Sequence, residues 1–355
     1  SITYTAPVPA PTGPATITGT YSGDNAHGAS SGVASLTFGL AQIPGTMTQI
    51  TTSPASDQFD PHISGNIVCY TDLRNGSPQI YYFDLSTSTE TRVTNNNFPR
   101  GGDQSCDVSG SIIVWADNLQ PLNVQGLTIG TAGPFNIDAQ NTIQVSPSVG
   151  GSLVAWMDDR NSTQGNSIWD IYAKDLTTGV EKRLTTNTLG PFSVNPNVSG
   201  RLVAYATQST SSIQSTSCQV FVTNFDMLVT TQLTNTTGCN TSTDISGNRV
   251  VYQADRDGNQ DIYVFDLTTN TETRISLPGL QRGPHISGDW VSFEDVSSGT
   301  SAILLYHVPT AALFIAVSSP TSNAFLNDID GFRVVFTGDA TGTHQIYVLE
   351  FKSPF

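Results

Sequence analysis

Three residues of a recurring phrase could together bind a divalent cation. His62 and His285 occupy the same place in two copies of the phrase Pro-His-Ile-Ser-Gly, and Asp328 occupies that place in the related phrase Asn-Asp-Ile-Asp-Gly. Two imidazoles and one carboxylate are a ligand set that transition-metal ions accept. The other interpretation is that short polar side chains at this place line a solvated channel. If the copies of the phrase meet around one axis, these three residues become neighbours.

A turn rich in oxygen ligands is a second candidate cation site. Its four polar residues alternate around Gly258: Asp255, Asp257, Asn259 and Asp261. This pattern is typical of a calcium loop, but the glutamate that completes an EF-type loop is absent. Asx-turn hydrogen bonds explain the same residues without an ion. We therefore expect no required cofactor, and calcium or another divalent metal is the candidate ligand of both sites.

Sequence motifs of catalysis give no support for an enzyme. The chain contains no HExxH motif, no SxxK motif and no phosphate-binding glycine-rich loop. Acidic pairs such as Asp158 with Asp159 fall where turns between strands would place solvated charge. These observations predict a protein that is not an enzyme.

Four cysteines predict two disulfide bonds. None belongs to a Cys-x-x-Cys motif, which argues against a zinc finger or a c-type haem site. Proximity along the chain pairs Cys69 with Cys106 and Cys218 with Cys239, and four buried thiols are the alternative. Because disulfides persist in oxidising compartments, we expect an extracellular or cell-surface protein, with the periplasm as the alternative.

The charge balance excludes two classes of partner. The 355 residues include 14 Lys and Arg against 29 Asp and Glu, which gives a net charge of −15. Nucleic-acid binding needs clustered basic residues that neutralise phosphate, and an anionic membrane surface also attracts positive charge. The sequence contains no run of about 20 apolar residues that could span a bilayer. We expect neither nucleic-acid binding nor membrane insertion.

The recurring phrase marks seven copies of one structural unit. Its glycines follow one another at intervals of 41 to 49 residues: Gly65, Gly110, Gly151, Gly200, Gly247, Gly288 and Gly331. Within a unit, short β-branched and aromatic runs alternate with turn-forming clusters, and no helical periodicity occurs. Four strands per unit at this period are typical of a β-propeller. The sequence predicts an all-β, seven-bladed β-propeller of four-stranded antiparallel blades.

The ends of the repeats predict that the ring closes through a shared blade. The last unit stops after its third strand, His344 to Glu350, whereas Met47 to Thr51 looks like an isolated fourth strand. Pairing of these segments would remove an exposed sheet edge. An N-terminal strand is therefore expected to close the ring.

The repeat also resembles a known family. The phrase Pro-x-Ile-Ser-Gly-x-x-Val-x-Tyr-x-Asp, followed by Asp-Arg-(Asp/Asn)-Gly and Ile-Tyr-x-x-Asp-Leu, is similar to the TolB-type propeller repeat over residues 47–355. The resemblance implies the propeller fold. Members of this family range over periplasmic, cell-surface and enzymatic roles, so the resemblance does not assign a function.

Asn-x-Ser/Thr triplets give candidate glycosylation sites. The candidates are Asn75, Asn161, Asn235 and Asn240. We exclude Asn197 because it falls within the recurring phrase and so on the innermost strand.

Residues 1–45 form a separate segment ahead of the propeller domain, which covers residues 46–355. Two stretches, Ala15 to Asp24 and Gly32 to Phe38, resemble the last strands of a bacterial Ig-like surface repeat. About half of such a sandwich is missing, and two strands alone are marginal in water. The strands could pack on their own propeller, add to a sheet of a neighbouring molecule, or be the remnant of a longer repeat chain.

These features together predict a non-enzymatic extracellular or cell-surface protein that acts in assembly or adhesion. Its N-terminal strands would link subunits into a filament or surface array. The expected partner is a second copy of the chain, another surface protein or a glycan. One alternative is a polysaccharide lyase or hydrolase with its site at the channel mouth around His62, His285 and Asp328. The other is a monomeric carbohydrate- or protein-binding module.

Overall fold

The computed structural model describes most of the chain, and its regular structure is all β. The described residues are 13–21, 26, 28, 30–51, 56–95, 104–117, 122–138, 140–164, 167–186, 192–208, 217–319 and 321–355. All regular secondary structure in these ranges is β-strand. Within them, no helix is long and apolar enough to cross a membrane. The predicted all-β class is confirmed.

The strands follow the repeat along the chain. Four precede the repeat units: β1 (Gly13–Tyr21), β2 (Ser30–Phe38), β3 (Ala41–Gln42) and β4 (Gly45–Gln49). Unit 1 contains β5 (Gln58–Ser64), β6 (Ile67–Asp72), β7 (Gln79–Asp84) and β8 (Thr89–Arg92). Unit 2 contains β9 (Gln104–Ser109), β10 (Ile112–Asp117), β11 (Asn123–Thr128) and β12 (Phe135–Asn136). Unit 3 contains β13 (Gln144–Gly150), β14 (Leu153–Asp158), β15 (Asp170–Asp175) and β16 (Glu181–Arg183).

The remaining units continue the same order. Unit 4 contains β17 (Phe192–Ser199), β18 (Leu202–Gln208), β19 (Ser217–Asn224) and β20 (Val229–Gln232). Unit 5 contains β21 (Gly238–Ser246), β22 (Arg249–Ala254), β23 (Asp261–Asp266) and β24 (Thr271–Ile275). Unit 6 contains β25 (Gln281–Ser287), β26 (Trp290–Asp295), β27 (Ala302–His307) and β28 (Ala312–Val317). Unit 7 contains β29 (Ala324–Asp330), β30 (Arg333–Gly338) and β31 (Gln345–Phe351).

Each unit is a four-stranded antiparallel arrangement in which consecutive strands pair. Unit 7 obtains its fourth strand from the other end of the repeats, because β4 pairs antiparallel with β31 and sets Met47 opposite Leu349. Strand β3 pairs in parallel with β28 at the outer edge of unit 6. Strands β1 and β2 pair with each other in a separate two-stranded sheet. Residues 1–12 of the predicted N-terminal segment lie outside the described residues.

The hydrophobic core lies between neighbouring units. The second strand of a unit is almost wholly buried, as the sequence Leu153–Asp158 of β14 shows. Leu153 and Ile171 of unit 3 pack in one cluster with Val203 and Tyr205 of unit 4. Because each sheet is covered on both faces, its central strands are continuous apolar runs rather than alternating ones. Burial of these faces drives the units to stack side by side.

The Ser-Gly phrase joins each unit to the next. In five units the serine hydroxyl oxygen accepts a hydrogen bond from the N–H of the phrase glycine in the following unit. These bonds measure 2.9 to 3.0 Å and join Ser64 to Gly110, Ser109 to Gly151, Ser199 to Gly247, Ser246 to Gly288, and Ser287 to Gly331. In unit 7, Asp330 replaces the serine, and its carboxylate accepts the Gly65 N–H at 2.6 Å. The phrase is therefore a structural signature.

A bulge near the start of the first strand in units 1 to 6 precedes each polar residue of the phrase. One bulge residue in each of these strands has a positive φ of 50° to 57°: Asp60, Ser105, Ser146, Asn195, Ser242 and Gly283. The glycine carries no steric penalty in this left-handed region, and Asp and Asn tolerate it better than most residues. Bulges redirect the side chains that follow them. In this fold those side chains belong to the polar residues that face the centre.

Both predicted disulfides are present, and each joins two neighbouring units. Cys69 of β6 is bonded to Cys106 of β9, and Cys218 of β19 is bonded to Cys239 of β21. The sulfur pairs therefore link unit 1 to unit 2 and unit 4 to unit 5. Cross-links of this kind restrict the unfolded chain and stabilise the stacked units.

Candidate functional site

The polar residues of the repeated phrase surround a central cavity of about 180 Å³. Each unit contributes two or three residues to its lining, and one of them is the polar residue at the same place in the phrase: His62, Asp107, Ser148, Asn197, Asp244, His285 and Asp328. All seven are the residue that precedes the Ile or Val of the phrase. The structure therefore brings these seven positions together around one cavity.

Asp244, His285 and Asp328 converge most tightly. One potential ligand atom from each residue lies within 4.8 Å of the other two. The Nδ1 atom of His285 is 3.7 Å from the Asp244 carboxylate and 3.8 Å from that of Asp328. The sequence prediction grouped His285 and Asp328 with His62 and did not include Asp244. The signal for Asp244 was its place in the phrase, which is the same as that of the two histidines.

His62 lies beside this group rather than inside it. Its Nδ1 atom is 3.6 Å from Asp328 and 3.8 Å from Asp107, and its Nε2 atom is 3.7 Å from Asp60. The three residues of the predicted metal set are therefore brought together, with Asp328 between the two imidazoles. The most closely spaced group differs from the predicted metal set in one residue: it contains Asp244 instead of His62.

The carboxylates of the cavity also hold neighbouring units together. Asp328 accepts the Ile63 N–H at 2.9 Å, and Asp244 accepts the Ile286 N–H at 2.8 Å. In both cases the donor is the first strand of the following unit. Each carboxylate therefore has a structural function as well as a place in the cavity. A carboxylate oxygen has a further lone pair, so such a bond leaves it able to bind a cation.

The pKa values of the two histidines shift in opposite directions. Burial lowers the pKa of His285 to about 4, although the nearby Asp328 acts against this effect. Burial also acts to lower the pKa of His62, but attraction to the nearby Asp328 and Asp60 carboxylates outweighs it and raises that pKa well above its usual range. Near neutral pH, these shifts favour the neutral form of His285 and the protonated form of His62.

The carboxylates also differ in pKa. Burial, reinforced by the negative charge of Asp328, raises the pKa of Asp244 to about 8. Burial likewise raises the pKa of Asp107, against the attraction of His62. For Asp328, burial acts in the same direction, but the nearby His62 imidazole leaves its pKa below the usual range. A bound cation would favour the charged form of Asp244.

The donor set suits a divalent first-row transition metal. Two carboxylates and one neutral imidazole combine hard oxygen donors with a nitrogen donor, and Mn²⁺ and Zn²⁺ accept both kinds. Asp244, His285 and Asp328 would hold the ion, and the cavity leaves room for water or a substrate oxygen to complete its coordination. When bound, the ion would neutralise a substrate carboxylate or polarise a carbonyl oxygen.

The predicted calcium turn does not converge in the same way. Asp255 accepts the Cys239 N–H at 2.9 Å, Asp257 accepts the Tyr263 hydroxyl, and Asp261 accepts the Arg274 guanidinium at 2.6 Å. The Nδ2 atom of Asn259 donates to the Gly279 carbonyl at 2.7 Å. These side chains point to separate protein donors and acceptors, so their contacts do not favour a calcium ion. Calcium at this turn stays a prediction.

The glycosylation candidates differ in exposure. Asn235 is exposed, whereas Asn240 is fully buried. Asn75 donates to the Tyr81 hydroxyl at 2.6 Å, and Asn161 donates to Asp170 at 2.8 Å. Asn75 is exposed like Asn235, whereas Asn161 is half-buried. Glycosylation at all four stays a prediction.

Comparisons with known proteins show similarity at the level of the fold. No family model matches the chain, and no curated protein matches it. An oligogalacturonate lyase in complex with manganese is 11% identical, covers 96% of this chain and 99% of its own, and has a TM-score of 0.65. Puromycin hydrolase is 11% identical, with a TM-score of 0.63 over 84% of this chain and 53% of its own. These likenesses confirm a propeller-like fold.

TolB from Acinetobacter baumannii is also similar. It is 15% identical over 87% of this chain and 79% of its own, with a TM-score of 0.46. That score is too low to support an argument about the family. The TolB resemblance therefore continues to rest on the repeated phrases of the sequence.

The comparisons contradict the predicted function. The chain was expected to be a non-enzymatic assembly or adhesion protein, whereas the solved proteins that share its fold include a lyase and a hydrolase. The prediction that it is not an enzyme is wrong for the same reason. It relied on missing sequence motifs, and a site assembled from one residue in each of several repeats leaves no such motif.

Proposed function

We propose that the protein is a metal-dependent enzyme that cleaves acidic oligosaccharides by elimination. The observation that carries this proposal is the convergence of Asp244, His285 and Asp328 in the central cavity. The manganese complex of an oligogalacturonate lyase with the same fold supports both the metal and the substrate class. The site corresponds to the lyase alternative that the sequence left open.

In an elimination, a base removes the proton from the carbon next to the uronate carboxylate. The glycosidic C–O bond at the adjacent carbon then breaks, a C=C bond forms, and the leaving oxygen takes a proton. His62 holds a proton on its imidazole and can give it to the leaving oxygen. Asp107 lies 3.8 Å from His62, and its raised pKa makes it a stronger base than an ordinary aspartate. We assign it the removal of the carbon-bound proton.

The size and charge of the cavity support an anionic group as the bound part of the substrate. A space of about 180 Å³ is small for a sugar chain but holds an ion together with one carboxylate group. The net charge of −15 opposes the approach of a polyanion. The His62 imidazolium and the bound cation supply the local positive charge that offsets this repulsion.

The activity test measures ultraviolet absorbance, because elimination creates a C=C bond conjugated with the uronate carboxylate. Protein loaded with Mn²⁺ is expected to raise the absorbance of uronate-containing oligosaccharides. His62→Gln should retain Mn²⁺ binding and lose roughly 10²- to 10⁴-fold in turnover, the usual contribution of a proton-transferring group. His307→Gln is the control, because His307 belongs to an aromatic cluster with Trp290 outside the cavity.

Two other outcomes would overturn the proposal. New reducing ends without ultraviolet absorbance would identify a hydrolase. No product from any uronate-containing oligosaccharide, with Mn²⁺ bound, would exclude this class of substrate.

The proposal includes a closed ring of seven blades with a TolB-like repeat. Pairing of β4 with β31 supports closure at unit 7. Two carboxylate bonds from unit 7 to unit 1 also support it, from Asp328 to the Ile63 N–H and from Asp330 to the Gly65 N–H. In this arrangement every sheet has a neighbour on both faces, which places the cavity on the ring axis.

We also propose that the protein works in an oxidising compartment, either the periplasm or outside the cell. The two disulfides support this location, because such bonds are rare in the cytosol. Residues 1–45 are proposed as a segment distinct from the propeller domain of residues 46–355. The proposed binding partner is a glycan, which is also the substrate.

A further inference from the structure

Ser292 is a polar exception beside the candidate metal ligand His285. It lies on β26 directly opposite His285 on β25. Directly opposed residues of an antiparallel pair place their side chains on the same face of the sheet. In the other units, the corresponding residue is one half-cystine or a small aliphatic residue: Cys69, Val114, Ala155, Ala204, Val251 and Val335.

The Ser292 hydroxyl has no apparent structural role. Its side chain is fully buried, and its Oγ atom has no hydrogen-bond partner among the described residues. The neighbouring side chains on this face, Trp290 and Leu305, belong to the apolar cluster between units 6 and 7. A buried hydroxyl without a partner destabilises a fold relative to an apolar residue of the same size. An alanine or valine, as in other units, would suit this place better if packing alone mattered.

We propose that Ser292 is a positioning residue for His285 when a cation is bound, an inference that rests on the proposed function. The Nδ1 atom of His285 faces the Asp244 and Asp328 carboxylates, at 3.7 and 3.8 Å. A cation held there would be bound by Nδ1, and Nε2 would then carry the imidazole proton. Metal-binding histidines almost always donate this second N–H to an acceptor, which fixes the ring and raises its basicity. In the proposed metal-bound state, the Ser292 hydroxyl oxygen, on the strand directly opposite His285, would be that acceptor.

This arrangement explains why the hydroxyl is retained. In the metal-free chain it lacks a partner and lowers stability. In the metal-bound chain it completes a hydrogen bond that orients the imidazole. If Ser292 has this role, removal of its hydroxyl should lower the affinity for the metal. The stability of the metal-free protein should not fall.

The test compares Mn²⁺ affinity with the unfolding temperature of the metal-free protein. Ser292→Ala is expected to weaken Mn²⁺ binding about 10- to 100-fold, as for other residues that orient a metal-binding histidine. Its unfolding temperature without metal should be unchanged or higher. Ser292→Thr keeps the hydroxyl and should keep most of the affinity. Thr71→Val is the matched control, because Thr71 is also buried with an unpartnered hydroxyl but lies in unit 1, away from His285.

Each other result has a definite meaning. Wild-type affinity in Ser292→Ala would overturn the positioning role and leave the proposed function intact. Weak binding in Ser292→Ala and Ser292→Thr, together with lower unfolding temperatures in both, would assign Ser292 to packing and also overturn it. If wild-type protein binds no Mn²⁺, the proposed function fails, and the role of Ser292 fails with it.

Discussion

At the scale of single residues, an arginine of the repeat both stacks on an aromatic ring and forms an ion pair. Arg256 stacks over the Tyr263 ring, with its guanidinium carbon 4.0 Å from the ring centre, and also pairs with Glu272. Glu272 accepts the Tyr252 hydroxyl as well. Units 1 and 3 contain corresponding stacks, Arg74 on Tyr81 and Arg160 on Tyr172. This arrangement explains the Asp-Arg turn of the sequence as a clamp between the turn and the outer strand.

We expect Arg256→Lys to lower the free energy of unfolding by about 1–2 kcal/mol, although it preserves the charge. Lysine cannot stack a planar group on Tyr263 while it bonds to Glu272. Chemical denaturation of the single variants and of a double variant with Glu272→Gln measures the coupling. A lysine variant as stable as the wild type would show that charge alone matters at this turn.

The sequence predicted some site residues and missed others for physical reasons. The sequence allowed the grouping of His62, His285 and Asp328 because they share a place in the phrase. Residues at the same place in each unit are expected to lie at the same level of the central cavity. The closer approach of Asp244 depends on side-chain directions set by neighbouring units. Ser292 could not be recognised from the sequence, because neither its position opposite His285 nor the lack of a hydrogen-bond partner for its hydroxyl can be read from the residues alone.

At the scale of elements, the Ser-Gly phrase has one informative exception. Unit 3 has Gly150 where five other units have serine. A Cβ atom at Gly150 would lie 2.7 Å from the Val198 carbonyl oxygen, so units 3 and 4 approach too closely for a side chain. The repeat pattern alone would suggest serine there, and the close approach explains why the chain departs from it.

Gly150→Ser is therefore expected to destabilise the protein, although it restores the repeat pattern. Contact with the Val198 backbone should cost about 1–3 kcal/mol, typical of overpacking. Thermal unfolding measures the effect. Ser109→Ala, which removes the equivalent bond to Gly151, is the comparison and should cost about 1 kcal/mol. A higher unfolding temperature for Gly150→Ser would show that units 3 and 4 can separate enough to accept the side chain.

The number and order of the strands could be predicted because the same sequence pattern occurs seven times. The bulges were not, since residues such as Ser105 and Asn195 also occur in ordinary turns. Their left-handed conformation becomes evident only when the pairing register shifts between two strands. That shift decides which residues face the cavity.

At the scale of the whole molecule, fold and function required different kinds of information. The repeat period and the unmatched strand at Met47 indicated the architecture from sequence. The functional prediction failed because it weighed composition and missing motifs, and neither describes a site to which several units each contribute one residue. Stacking of the repeat units brings one polar residue from each of them to the same cavity, where carboxylates and imidazoles cluster.

The central claim is that Asp244, His285 and Asp328 bind one divalent cation. Calorimetric titration of the full chain with Mn²⁺ tests it most directly, with His285→Gln as the variant, because the His285 side chain is a proposed ligand and is not assigned to any bond between units. We expect one site per chain in the wild type and binding at least about 100-fold weaker in the variant. Equal binding by both proteins, or no binding by the wild type, would contradict the claim.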